Sequence, residues 1–394
     1  MMQSPSKLSG PFVSTPFDVS RLQGWTDLPV DLLHSIVPLL GSYVNLFVFV
    51  STCSSWRVAF LSYPSKSTLC MVLPPLLVQP NVLDLSPHLP SSNGRHELRN
   101  CKLIHLANQN ISLSLPIPRK TFENMWFVGS SYGHLICCLK GNFIVDVFTG
   151  AEFSPPSLPL NCGFEFFYYY GTLTAPPASP NCHLLVSTHC SLFDWPFGSD
   201  SWCQLKLTYS QRIDQIVEFD GQFIALDCHW RVNILKLAPQ LGLEQITTSS
   251  LWDGMAKCPQ SPWLVVCGDV LLIVGDYASL LSSKAPVLYK PYRLDMSTRP
   301  AKWVEVKKLD NWALFVGRDF RSPSFSCSSP EQWGGWSNRL YYAHNFQPLT
   351  IHGLGDDAEA VWDPSNDPNL FYGRKRYKKV QAFWVYPSMF SSDG

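Results

Sequence analysis

Apolar side chains return every three or four residues between Leu28 and Trp56, whereas beyond Cys101 they come in short alternating runs. The change of period divides the chain. In the first stretch Leu32, Leu33, Ile36, Leu39 and Leu40 share one helical face, with Asp27 placed to cap the helix and Pro29 in its first turn. Pro38 falls inside this pattern, where its missing N–H predicts a kink or an end. A second helix is predicted from the stripe Leu46, Phe49, Val50, Cys53 and Trp56, with Asn45 as its cap. Two short helices with this much apolar surface call for another protein to cover them.

From about Cys101 to Phe390 no helical period lasts beyond about two turns. His134–Leu139, a turn at Lys140-Gly141-Asn142 and Phe143–Phe148 read as strand, turn, strand. Asp214–Phe219 and Gln222–Asp227 flank Asp220-Gly221, a two-residue hairpin signal, and Trp263–Cys267 and Val270–Val274 flank Gly268-Asp269 in the same way. The runs Leu135–Leu139, Leu184–Ser187, Phe223–Leu226, Leu271–Val274 and Leu340–Ala343 recur at intervals of about 40 to 70 residues. Four-stranded sheets at that period bury both faces by radial stacking, which predicts a propeller of about five to seven blades, with a β-sandwich as the other arrangement that fits. The organisation expected is a disordered tail over 1–22, a helical domain over 23–63, a linker and first strand over 64–100 with strand character at Leu69–Leu73, and a β domain over 101–394.

Composition sharpens this reading. Lys plus Arg equals Asp plus Glu at 30 each, so no global field points to nucleic acid or an acidic membrane surface. Charged residues are 15%, aromatics 13%, and prolines number 32, which favours short buried strands joined by turns over long solvated helices. The 13 cysteines are odd in number and lack paired spacing, and Cys137, Cys138 and Cys267 lie in apolar runs, as reduced core residues of an intracellular protein would. His183, His189 and Cys190 come nearest to a zinc set and read as buried structural residues. Leu32–Val50 holds no Asp, Glu, Lys or Arg, almost enough for a membrane span, but Pro38, Gly41 and Asn45 cut it and no Lys/Arg cluster flanks it. The Pro/Ser-rich residues before it lack the apolar core of a signal peptide.

Leu28-Pro29, Leu32-Leu33, Ile36, Leu40, Leu46, Phe49, Cys53 and Trp56-Arg57 resemble the ordered signature of an F-box. The resemblance implies docking on a Skp-type linker, and through it on a cullin-based ubiquitin ligase. Leu28, Pro29, Leu32, Leu33, Ile36, Leu40, Leu46, Phe49, Cys53 and Trp56 would form the contact. Pro38, Val48 and Val50 depart from the pattern, the proline by interrupting the first helix and the two valines by standing where such boxes usually carry Arg or another polar residue. Further on, Gly129-Ser130-Ser131-Tyr132-Gly133-His134-Leu135 and Asp146-Val147-Phe148-Thr149-Gly150 are similar to the opening of the KIB-type propeller domain that follows the F-box in a large plant family. Val217–Phe223, Trp303–Val306, Leu314–Gly317 and Trp384–Ser388 continue the likeness, while Trp333–Asn338 replaces the family's Cys- and Gly-containing turn. The fold implied is mainly β, a three-helix F-box followed by an antiparallel β-propeller-like domain. The function implied is a non-catalytic substrate adaptor of a ubiquitin ligase. The alternative is a ligase-independent protein-binding regulator with a degenerate F-box.

No motif calls for a cofactor. Gly129-x-Ser131-x-Gly133 matches a nucleophile elbow formally, but the residues after it read as a β-hairpin and not as the helix that chemistry needs. Asp356-Asp357-Ala358-Glu359 lacks the spacing of a calcium loop. Arg374, Lys375, Arg376, Lys378 and Lys379 form a basic run that reads as a solvated loop, a nuclear import signal or a docking patch for an acidic partner. Trp195, Trp230, Trp252, Trp312, Trp333 and Trp336 lie near turns, and of these Trp195, Trp230, Trp333 and Trp336 are the candidate contacts to an unidentified protein target. No metal, nucleic acid or membrane partner is expected, and the compartment expected is cytoplasm, nucleus or both.

Overall fold

A computed structural model describes residues 24–66, 69, 72–80, 101–106, 108–115, 126–139, 141–159, 170–208, 211–249, 262–276, 288–317, 320–343, 349–359 and 382–390. They fall into two compact units, one holding residues 24–40 and 44–63, the other residues 41–43 and everything from Pro64 onward.

The smaller unit is helical. A 3-10 turn at Trp25–Asp27 precedes helix α1 (Val30–Ile36), and Pro29 itself occupies the cap position, its carbonyl accepting the N–H groups of Leu32 and Leu33, each at 3.1 Å. Asp27 therefore does not cap α1, because it sits in the separate turn and its carboxylate accepts the Thr26 hydroxyl. Pro38 acts as expected: α1 stops at Ile36, and a 3-10 turn, Val37–Leu39, takes its place. Helix α2 (Tyr43–Thr52) starts two residues before Asn45, which lies inside its first turn and not at the cap. The stripe expected to run on to Trp56 is broken at Cys53, whose extended backbone (φ −161°, ψ 175°) separates α2 from a third helix, α3 (Ser54–Leu61). His34 on α1 meets the Ala59 carbonyl of α3 at 2.9 Å. The Ser55 hydroxyl and the Trp56 indole N–H donate to the carbonyls of Thr26 and Trp25 at 2.8 and 2.9 Å.

The larger unit is a β-propeller of six four-stranded sheets, which fixes the blade number within the expected range and sets aside the sandwich. In chain order the strands are β1 (Leu76–Pro80), β2 (Cys101–His105), β3 (Asn108–Leu115), β4 (Trp126–Ser131), β5 (His134–Leu139), β6 (Gly141–Asp146), β7 (Glu152–Phe153), β8 (Tyr170–Leu173), β9 (His183–Ser187), β10 (Ser191–Pro196), β11 (Cys203–Lys206) and β12 (Ile213–Phe219). They continue as β13 (Gln222–Asp227), β14 (Val232–Lys236), β15 (Gly242–Gln245), β16 (Trp263–Cys267), β17 (Val270–Asp276), β18 (Tyr289–Asp295), β19 (Lys302–Glu305), β20 (Trp312–Val316), β21 (Phe325–Ser328), β22 (Arg339–Ala343), β23 (Leu349–Gly353) and β24 (Phe383–Val385). β4–β7, β8–β11, β12–β15 and β16–β19 are antiparallel meanders. The expected hairpin at Asp220-Gly221 is present, both residues adopting positive φ (51° and 67°) as a type I′ turn requires. Gly141 and Asn142, read as turn, open β6 and pair with Leu139 and Cys138.

Two departures from a plain meander matter. The last blade has the order β21-β20-β22-β23, with β20 and β22 parallel, so the chain must cross from the end of β21 to the start of β22 by the loop at 329–338. The remaining blade closes the circle, since β24 pairs with β1 through Leu76↔Val385, Leu77↔Trp384 and Val78↔Phe383. The propeller thus begins at β1, inside the stretch assigned to linker and first strand. Of the run 69–73, where strand character was expected, residues 70 and 71 lie outside the described residues, and Leu73 N–H bonds the Leu69 carbonyl at 2.9 Å, a helical step.

Cores lie between neighbouring blades. Val128, Ile136 and Ile144 face Leu184, Val186 and Phe193, and Trp263, Leu272 and Val274 face Leu314, Leu340 and Tyr342. Each such layer removes side chains of both sheets from water, at about 25 cal/mol per Å² of apolar surface. Inner strands β4 and β8 approach so closely that a Cβ at Gly129 would lie 1.9 Å from the Gly171 carbonyl oxygen, so only glycine fits there.

Candidate functional site

In the helical unit, large apolar side chains that face solvent are Trp25 (76% exposed), Val30, Leu32 (53%), Leu39 (79%), Val48 (61%), Val58 and Leu61. Among the residues expected to bind a linker, Pro29 and Leu32 are exposed, Leu28, Ile36, Leu40, Cys53 and Trp56 are half-buried, and Leu33, Leu46 and Phe49 are buried. Phe49 packs its ring 4.7 Å from that of Trp56. Leu33, Leu46 and Phe49 are therefore shielded, and an outside chain would meet Leu32 and its exposed neighbours first. Of the three departures from the F-box pattern, Pro38 and Val48 face solvent and Val50 is buried.

In the propeller, the expectation of turn-exposed tryptophans fails for two of the four. Trp195 is buried with its indole N–H on the Ser199 carbonyl at 2.7 Å, and Trp333 is buried against Phe315 and Tyr341 with its N–H on Cys327 Sγ at 3.4 Å. Both sit near turns in sequence but belong to layers between blades, where large rings fill the space between diverging sheets. Trp230 is half-buried against the Ile224, Leu226 and Val232 layer. Trp336 alone of the four is largely exposed, at 61%. Arg374, Lys375, Arg376, Lys378 and Lys379 lie outside the described residues, as does Trp252.

The loop that carries Trp336 is organised by a residue that the hydrophobic pattern did not flag. Asn338 is 1% exposed, with positive φ (56°). Its N–H donates to the Trp312 carbonyl at 2.8 Å, its Oδ1 accepts Leu309 N–H at 2.9 Å, and its Nδ2 donates to the Leu354 carbonyl at 3.0 Å and to Asp357 Oδ2 at 2.8 Å. One side chain thus fastens three segments at the end of the last blade. Asn is the non-glycine residue best suited to left-handed backbone, which was the available clue.

At the centre of the propeller a cavity of about 60 Å³ is lined by Ser130, Tyr170, Thr172, Gln215, Leu264 and Arg321, among others. Arg321 is buried, its Nη1 donating to the Phe127 carbonyl at 3.0 Å and its guanidinium carbon 5.7 Å from the Phe127 ring centre. Gln215 bridges the Pro262 carbonyl and the Leu264 N–H at 2.6 and 2.8 Å. Tyr170 bonds Ile216 through both N–H and carbonyl, and burial pushes its hydroxyl up to about 12. This space is polar, small and knitted to backbone, room for a few waters at most.

The Gly-x-Ser-x-Gly match is a hairpin turn between β4 and β5, with Tyr132 and Gly133 at φ 47° and 79°. Ser131 Oγ meets Thr172 Oγ1 at 2.8 Å and accepts Leu173 N–H at 3.1 Å, while His134 Nδ1 turns to the Tyr132 carbonyl at 2.7 Å. His183 pairs with Asp194 at 2.8 Å instead of joining a metal set. Among the described residues no cluster of three or more His, Cys, Asp or Glu is set to hold a metal, and no helix is long and apolar enough to cross a membrane.

The described chain thus comprises a helical unit with exposed apolar side chains and a six-bladed β-propeller. The chain belongs to the KIB1-4 beta-propeller family, whose model matches residues 103–372. It is similar to F-box protein At2g26160 of Arabidopsis thaliana, 31% identical over 159 residues, which cover 39% of this chain and 46% of that protein. It is also similar to F-box protein At2g17036 of Arabidopsis thaliana, 22% identical over 412 residues, covering 93% of this chain and 94% of that one. Among solved structures, the beta-propeller domain of Myceliophteria thermophila Cps50 (Swd1) aligns with a TM-score of 0.32 at 10% identity, covering 64% of this chain and 87% of that one.

Proposed function

We propose that this protein is the substrate-recognition adaptor of a Skp–cullin–F-box ubiquitin ligase. The helical unit docks on a Skp-type linker and thereby on a cullin, and the propeller loops hold a target protein. The observation that carries this reading is the set of solvent-facing apolar side chains on the helical unit, Leu32 and Leu39 foremost, which a protein partner would bury. The names of the Arabidopsis relatives support the same reading. The adaptor contributes proximity, holding the target near the ubiquitin-loaded enzyme, and bond chemistry stays with the other subunits.

Co-purification tests it. Tagged full-length protein should retain a recombinant Skp-type linker, and Leu32→Asp should lose it while keeping the far-ultraviolet dichroism of the parent. Failure of the parent chain to retain any Skp-type linker would reject the ligase role and favour a regulator that acts by binding alone.

A further inference from the structure

Two tryptophans three residues apart have opposite fates in the loop between β21 and β22. Trp333 fills the core of the last blade, and its ring lies so close over Gly335 that a Cβ there would come within 2.1 Å of it. The interior position is thus taken, and Trp336 is left with 61% of its surface in solvent. Its backbone is nonetheless fixed on every side. Trp336 N–H donates to the Tyr341 hydroxyl at 3.0 Å, the Ser337 hydroxyl donates to the Glu331 carboxylate, and Asn338 ties the end of the loop to Trp312, Leu309, Leu354 and Asp357. An exposed indole on a pinned loop is preorganised for contact, because little ordering entropy remains to be lost on binding.

The surroundings say what it would contact. The segments fastened together here, 307–312, 329–339 and 353–359, and the adjoining turn at 268–269, whose Gly268 abuts the Trp312 ring, carry Asp269, Asp310, Glu331, Asp356, Asp357 and Glu359 against Lys307, Lys308 and Arg339. Six acids less three bases leave a local charge of −3 in a chain whose formal net charge is +0. All six acids are exposed, as are Lys307 and Lys308, whereas Arg339 is half-buried and lies 3.8 Å from Asp357. The Ser337 hydroxyl holds Glu331 below the usual carboxylate range, keeping that charge in place beside Trp336.

We propose that Trp336 and the acidic rim around it form a docking surface for a peptide segment bearing Arg or Lys, whose cationic head lies on the indole face while the rim supplies countercharge. This deepens the adaptor reading, on which it rests, by assigning the chemistry of the target contact.

The test uses the full chain labelled with 5-fluorotryptophan, the Trp336 resonance being identified by its disappearance in Trp336→Phe. An end-blocked Gly-Arg-Leu-Arg-Gly peptide should shift that resonance saturably, and its citrulline and glutamate counterparts should not. Calorimetry should find binding about fivefold weaker in Trp336→Ala, the loss of one exposed cation–π contact, and weaker again when Glu331→Gln is added. A resonance that stays still at millimolar peptide, or moves equally with the glutamate peptide, overturns the proposal. Retention of the Skp-type linker is measured on the same preparation: protein that keeps the linker but ignores the peptide discards this surface and leaves the adaptor role standing.

Discussion

Ser388 donates its hydroxyl to Asp146 Oδ2 at 2.7 Å, joining the segment that follows the closing strand β24 to the end of β6, 242 positions away. Asp146 Oδ1 meanwhile accepts the N–H groups of Phe148 and Thr149 at 2.7 and 3.0 Å, so the carboxylate is already oriented by its own turn. The contact is also sterically close, since a Cβ at Gly133 would lie 2.6 Å from Ser388 N. Ser388→Ala removes one charge-assisted bond from a half-buried site and should lower stability by about 1.5 kcal/mol. Asp146→Ala additionally strands two backbone donors and should cost about 3 kcal/mol. Urea unfolding of both variants checks the ranking, and equal losses would show that the latch, not the turn, dominates.

Next to this latch, His134 makes stability depend on pH. It is buried, and desolvation pulls its pKa down more strongly than the nearby Asp146 carboxylate, 3.8 Å from Nε2, pulls it up. His105 in β2 is likewise lowered by burial. A histidine held below its ordinary value near 6.5 takes up its proton more readily in the unfolded chain. Stability is therefore full above about pH 6.5 and falls as the pH drops from there through the lower folded values. The urea midpoint should decrease between pH 7.5 and 5.5, and His105→Gln should shrink that decrease. A midpoint that rises over this interval would contradict the sign.

What could be read from the amino-acid order, and what could not, separates local from long-range causes. Hairpins such as Phe219-Asp220-Gly221-Gln222 were legible because the turn chemistry and the alternation lie within a few residues of each other. The stop at Pro38 was legible for the same reason. The break at Cys53 was not, since Leu46, Phe49, Cys53 and Trp56 keep helical spacing through a residue whose backbone is extended. Nor could spacing distinguish Trp333 from Trp336, which differ only in which one the blade interior accepts. The partner of β24 is β1 at the other end of the propeller, and no local pattern announces a pairing such as Leu77↔Trp384.

Trp384 gives that closure its anchor. It is fully buried, its indole N–H donates to the Val316 carbonyl at 2.9 Å, and its ring meets Phe315 edge-on at 5.1 Å. Trp384→Ala should cost about 4 kcal/mol, from the cavity and the unpaired carbonyl together. Trp384→Phe keeps most of the volume and should cost roughly half as much. Thermal unfolding of the two variants measures the difference.

Asn338 should be among the least replaceable polar residues of the propeller. Asn338→Ala leaves the buried Leu309 N–H and Leu354 carbonyl without their bonds and puts alanine, which tolerates positive φ less well than asparagine, at that position, at a cost of about 3 kcal/mol. Asn338→Asp keeps an acceptor for Leu309 but sets a carboxylate against Asp357 and the Leu354 carbonyl, so it should recover little of the loss. Differential scanning calorimetry reads both, and an Asp variant as stable as the parent would mean that the Nδ2 bonds contribute nothing.

Leu32 and Leu33 are neighbours with opposite exposure, 53% against 0%, and this separates docking from folding. Leu33→Ala removes a buried side chain and should destabilise the helical unit by about 3 kcal/mol. Leu32→Ala removes a solvent-facing one and should change stability by no more than about 0.5 kcal/mol. If the helical unit binds a Skp-type linker through its uncovered apolar residues, the order reverses for affinity at a temperature where both variants are folded. Leu32→Ala should then weaken linker binding by about tenfold, the equivalent of losing roughly 1.4 kcal/mol of apolar burial. Surface plasmon resonance on the immobilised linker supplies the comparison. A Leu32→Ala chain that binds as tightly as the parent would place the linker contact on other residues of the unit.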